Sequence, residues 1–129
     1  MSAHNPMSKR PKYLNLFQIR LPLPGVMSIM HRVSGAVLFL ALPVLLCWLQ
    51  QSLTSPDTFA ALRATFSQGF VKLVLIGLAW GYLHHLCAGI RHIMLDMDYG
   101  TGLATARLTS MLVFAVSIAL SVVAGALLW

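Results

Sequence analysis

Two groups of residues carry side chains whose chemistry goes beyond packing. Ser28, His31, Arg32 and Ser34 form the first, with Gly35 beside them, and His84, His85, Arg91 and His92 form the second. A histidine in mid-helix can ligate iron through one ring nitrogen, as in b-type haem sites. Gly77, Gly81, His85 and Gly89 recur every four residues and so share one stripe of a helix. Glycines one turn above and below a histidine leave a flat groove where a macrocycle can lie close to the backbone. Gly77 and Gly81 also fit the ordinary close packing of two helices. His84 has Trp80 and Ala88 at the matching positions and lacks that groove. His85 is therefore the expected axial ligand to haem iron, with His84 as the alternative.

In the first group, spacings of three and four put Ser28 on one helical face with His31 and Arg32. A hydroxyl, an imidazole and a guanidinium together can bind a polar head whose tail stays in lipid, and a quinone is such a molecule. Its carbonyl oxygens need hydrogen-bond donors, and its reduction builds negative charge that an arginine stabilises. The competing reading has Arg32 facing lipid phosphates and Ser28 capping the helix. Arg32 and Arg91 are the charged groups available to haem propionates.

The elements that must position these residues follow from composition. Of 129 residues, 58% are hydrophobic and 9% charged, against about a quarter charged in a soluble domain. The apolar residues come in blocks long enough to cross a bilayer core of ~30 Å as a helix. The reading is a single all-α transmembrane domain over residues 1–129. It has an N-terminal segment at 1–25 and three membrane helices at about 26–50, 70–95 and 108–129. Pro22, Pro24 and Gly25 mark a turn before the first span, and Pro43 should bend it by removing a backbone donor. The stretch 50–65, with its Ser, Thr, Pro56 and Asp57, reads as a loop with room for a short helical turn around 59–63. Gly100 and Gly102 mark the second connection.

The net charge of +6 is not a nucleic-acid signal, because no basic face on a soluble fold is available to carry it. Lys9, Arg10, Lys12, Arg20 and Arg32 precede or open the first span, and Arg91 and Arg107 flank the second connection. Arg63 and Lys72 fall on the other side. Seven against two places the N-terminus in the cytoplasm and Trp129 outside, under the positive-inside rule. The first thirty residues carry no apolar stretch of the kind a cleaved signal peptide has. Cys47 and Cys87 lie in apolar blocks without CxxC spacing and read as buried small side chains. No other histidine sits in a different span at the depth of His85, so a six-coordinate haem would take its second ligand from a partner chain.

Arg10-Pro11 followed by Ser28-x-x-His31-Arg32-Val33-Ser34-Gly35 resembles the first signature of the cytochrome b membrane-anchor subunit of succinate dehydrogenase, respiratory complex II. His85-x-x-x-Gly89-Ile90-Arg91-His92, closing on Asp96, is similar to the second. The likeness runs along nearly the whole chain, through the three-span layout to Leu127-Leu128-Trp129. Lys12, Leu95 and Asp98 depart from the usual pattern.

The resemblance implies a three-helix anchor that packs with a second anchor subunit in the bacterial inner membrane, beside a flavoprotein that oxidises succinate and an iron–sulfur protein. It implies haem b, with His85 as one axial ligand and the other from the second anchor, and ubiquinone as substrate. Ser28 and Arg32 would line the quinone pocket, with His31 near both quinone and propionate. Nothing in this chain could itself oxidise succinate. An anchor of a quinol:fumarate reductase is the nearest competing function. A small channel or transport subunit would spread ionisable groups through the spans, and here the third span has none.

Overall fold

The computed structural model describes residues 19–129, and all of its regular structure is helical: α1 Leu23–Thr54, α2 Pro56–Phe66, α3 Gly69–Asp96 and α4 Leu103–Leu128. Arg10-Pro11, Lys9, Lys12 and the segment before residue 19 lie outside the described residues. Three of the helices, α1, α3 and α4, are long and apolar enough to cross a membrane. At 1.5 Å per residue, the 32 residues of α1 extend about 48 Å, well beyond a ~30 Å hydrocarbon core. One or both ends of α1 therefore extend beyond the hydrocarbon.

Each long helix is longer than the sequence reading, for local reasons. α1 starts at Leu23 because Pro22 is extended at the N-cap and Pro24 falls in the first turn, where a missing N–H costs nothing. It continues through Pro43 without interruption. Its end is set by Ser55, whose φ of −159° leaves the helix and starts the next one. Residues read as a loop are in fact a helix start. Ser55 Oγ accepts from the Thr58 N–H at 3.2 Å, and Thr58 Oγ1 accepts from the Ser55 N–H at 3.1 Å. This is a reciprocal capping box, with Pro56 at the first helical position and Asp57 favourably placed against the helix dipole.

The connection from α3 to α4 is short. Tyr99 N–H donates to Met94 O at 2.9 Å and Asp98 N–H to Leu95 O at 3.0 Å, the paired bonds of a Schellman ending. Asp98 takes the left-handed position with φ of 63°, which aspartate tolerates better than most residues. Gly100, at φ 77°, completes the reversal.

α3 is the central helix and packs on both α1 and α4. The core is small: Met27, Ala88 and Val113, with Cys87 and Phe114 against them. Along α4 the buried positions are Ser110, Val113, Ser117 and Ser121. The three serines donate to carbonyls of their own helix, Ala106, Phe114 and Ser117, so they bring α4 close to α3 without leaving polar atoms idle. Large apolar side chains cover the outside, with Phe39, Phe70 and Leu127 at least 74% exposed. In water such a coat would drive aggregation. Only Met27 and Ser34 of α1 are buried, so that helix gives most of its surface to lipid or to another chain.

Candidate functional site

The first turns of α1 and the last turns of α3 meet at one end of the bundle, and both chemical clusters lie there. Adjacent residues of a helix point about 100° apart, so His84 and His85 face different neighbours. His84, Ala88 and Arg91 are buried on one face of α3, while His85 and His92 turn toward His31 of α1.

His85 is held by α1 from several directions. Its ring stacks on His31 with centroids 4.1 Å apart and planes 15° from parallel, so His31 lies at the depth of His85 on a different helix, where the sequence reading expected no histidine. Its Nδ1 lies 3.0 Å from the His31 carbonyl oxygen and 3.3 Å from Ser34 Oγ. A carbonyl can only accept, so this contact requires the proton on Nδ1, and in the neutral ring Nε2 then carries the lone pair. Ser34 supports this arrangement by donating its own hydroxyl to the same carbonyl at 2.9 Å. The ring comes this close because residue 35 has no side chain. A Cβ on Gly35 would stand 2.7 Å from His85 Cε1. His31 is flanked on its other side by His92, at 4.9 Å between centroids, so three imidazoles from two helices form one group.

His84 has the opposite surroundings. It is fully buried between Trp80, at 5.4 Å, and Phe114, at 5.0 Å. Neither of its ring nitrogens has a hydrogen-bond partner among the described residues. Arg91 also belongs to this face. Its Nε donates to Thr109 Oγ1 at 2.9 Å and its Nη2 to Ala106 O at 3.2 Å, which ties α3 to the start of α4. Arg91 is thus not brought to the histidine group with which its sequence neighbourhood associates it. Ser28 is half-buried and Arg32 exposed on the first turns of α1.

The stripe of glycines divides. A Cβ at Gly77 or Gly81 would meet no atom within 4 Å, but only Gly77 is exposed and Gly81 is buried on the His84 face, while Gly89 faces His31 Nε2 at 3.5 Å. The contacts that orient His85 come instead from Gly35, Ser34 and the His31 backbone, which the sequence reading did not connect with it. Their signal was present: a small pair, Ser34-Gly35, lies three and four residues after His31, on the face that His31 shows to α3.

Residues 7–124 match the family model described as succinate dehydrogenase/fumarate reductase transmembrane subunit. The chain belongs to this family. The succinate dehydrogenase cytochrome b556 subunit of Coxiella burnetii is 34% identical over 95% of this chain and 98% of its own length. The protein of the same name from Paracoccus denitrificans is 34% identical, covering 88% of this chain and 87% of its own. The succinate dehydrogenase 2 membrane subunit of Mycobacterium tuberculosis is 35% identical over 79% and 75%. The anchor subunit is accordingly a multi-pass membrane protein of succinate dehydrogenase, and its family membership implies partner subunits. Both clusters fall within the matched residues.

Proposed function

We propose that the chain binds haem b through His85 and helps to form the site where ubiquinone is reduced with electrons from succinate. The observation that carries the haem assignment is the hydrogen bond from His85 Nδ1 to the His31 carbonyl. Histidines that ligate metals characteristically donate their second nitrogen to a carbonyl or carboxylate, which fixes the tautomer and the ring plane. His84, sealed between two aromatic rings, offers no such arrangement. No three His, Cys, Asp or Glu side chains among the described residues are grouped to hold a metal ion. Haem would bring four iron ligands of its own, so a single histidine from this chain is enough, and the name cytochrome b556 carried by the relatives agrees with this.

When bound, haem b supplies a one-electron carrier within the membrane. This chain's part is to hold the Nδ1 proton on the His31 carbonyl, keep Nε2 available, and fix the ring between His31 and Gly35. His31 and Arg32 are the groups we assign to the propionates. Arg91 is assigned to them as well, through its Nη1, since Nε and Nη2 are held by Thr109 and Ala106. The second axial ligand is assigned to a second anchor subunit, and the exposed Gly77 of α3 supports close approach of another helix. Attachment of the iron–sulfur and flavoprotein subunits is assigned to the end of the bundle that carries the histidines. The orientation we assign, from the seven-to-two split of basic residues, has that end in the cytoplasm and Trp129 in the periplasm.

For the quinone, Ser28 donates a hydrogen bond to one carbonyl oxygen and Arg32 stabilises the negative charge that grows on reduction. Their spacing of four residues supports this, with Arg32 exposed and Ser28 half-buried on the first turns of α1, since a head group there leaves its tail in lipid. Loss of a donor in such a pocket costs ~1–3 kcal/mol, more where the partner is charged. Ser28→Ala and Arg32→Leu should therefore slow succinate-to-ubiquinone turnover in the assembled complex while sparing reduction of a soluble dye by the hydrophilic subunits. Wild-type quinone reduction in a fully assembled Arg32→Leu complex would remove this cluster from the quinone site. In the same preparations, His85→Leu should abolish or alter the reduced b-type absorbance.

A further inference from the structure

At the end of the bundle away from the histidines, α1, α2 and α3 enclose a bowl of about 510 Å³. Its walls are hydrocarbon: Leu45 and Leu49 of α1, Phe59 and Leu62 of α2, and Leu75 of α3. Trp48 and Phe66 close one side in an edge-to-face contact with centroids 5.0 Å apart. The volume lies within the ~300–1,000 Å³ range of small-molecule sites, and water has little reason to enter an apolar space of this kind. Arg63 is the charged residue of the lining, and it is exposed.

The other cation at this end, Lys72, is already engaged. Its Nζ donates to the main-chain oxygen of Trp129 at 3.0 Å and lies over the Trp129 ring. Asp57 sits in the first turn of α2, where it offsets the helix dipole, and not beside Arg63. A guanidinium at the mouth of a hydrocarbon bowl, at a membrane interface, complements a molecule with a chain and a phosphate in one piece.

We propose that the bowl holds an acyl chain of an anionic phospholipid whose phosphate is bound by Arg63. This site is separate from the quinone cluster, which lies at the opposite end of α1. It gives α2 a purpose beyond linking two spans: its Phe59, Leu62 and Phe66 face forms one wall of the site and its Arg63 forms the gate.

The test uses the intact, detergent-purified succinate dehydrogenase complex, stripped of lipid and then offered phosphatidylglycerol, phosphatidylcholine of the same chains, or decylubiquinone. Retained ligand is counted by native mass spectrometry. Wild type should hold phosphatidylglycerol about fivefold more tightly than phosphatidylcholine, the size of effect one interfacial arginine supplies. Arg63→Gln should erase that preference, lowering retention of phosphatidylglycerol more than that of phosphatidylcholine, whose choline cation already offsets its phosphate. Leu49→Trp, at an exposed position on the bowl wall, should fill the space and lower retention of both lipids. Recovery of the partner subunits with each variant verifies assembly. Absence of a charge preference in wild type, its survival in Arg63→Gln, undiminished retention in Leu49→Trp, or displacement of lipid by decylubiquinone would each overturn the proposal.

Discussion

Gly35→Ala is the smallest change that should disturb the histidine group, and its size can be worked from the structure. Elsewhere in a helix, replacing glycine by alanine gains up to ~1 kcal/mol of helix propensity. At position 35 the new methyl carbon would meet His85 Cε1 at 2.7 Å and Nδ1 at 3.2 Å, whereas carbon atoms prefer ~3.5–4.0 Å. The ring must therefore retreat by about 1 Å. It cannot do so freely, because His31 stacks on one face and the His31 carbonyl holds Nδ1 at 3.0 Å. A displacement of that size breaks the hydrogen bond, a net loss of ~1 kcal/mol, in addition to ~1–3 kcal/mol of overpacking. Loss exceeds gain, and it falls on the atom assigned to the iron, where metal–ligand distances tolerate only ~0.2 Å.

The assay is the dithionite-reduced minus oxidised absorbance of membranes, scaled to the amount of assembled complex. Gly25→Ala is the control, since it makes the same chemical change on the same helix with its nearest contact at an ordinary 3.7 Å. Gly35→Ala should lose or shift the b-type signal, and Gly25→Ala should keep it. An unaltered spectrum at full haem content in Gly35→Ala would show that the ring's position against α1 has no bearing on ligation.

Two further outcomes are expected. His84→Leu should keep the b-type spectrum and leave thermal unfolding unchanged or raise its midpoint, because it removes two buried nitrogens that have no partners; loss of the spectrum would transfer the ligand role to His84. Single cysteines at Ala60 and Thr101, both exposed, in a background lacking Cys47 and Cys87, should react with a membrane-impermeant maleimide in intact cells at position 60 and not at 101, and the reverse pattern would invert the topology.

The three spans were legible because each is a long apolar block that no soluble fold explains. Their ends were harder to read, for a physical reason visible at residues 54–58. Polarity marks the water boundary of a membrane helix, and the same Ser, Pro, Asp and Thr that face water also build a helix N-terminus. Reading Ser55-Pro56-Asp57-Thr58 by polarity gives a loop, while reading it by hydrogen-bonding capacity gives a capping box and α2. The membrane removes the period of apolar and polar residues that would have distinguished them.

The candidate site shows a related asymmetry. Spacing within α3 already separates His84 from His85, since neighbours on a helix point to different faces. It does not say which face meets α1, because an apolar helix in lipid carries little amphipathic signal to orient it. That information resides in α1, where Ser34 and Gly35 are small enough to admit an imidazole and the His31 carbonyl is near enough to take its proton. A ligand histidine is thus specified twice: by its own place on a helix, and by the gap and the acceptor opposite it. His84 meets the first requirement almost as well as His85. It fails the second, because Phe114 and Trp80 fill the space beside it and offer its nitrogens nothing to hold.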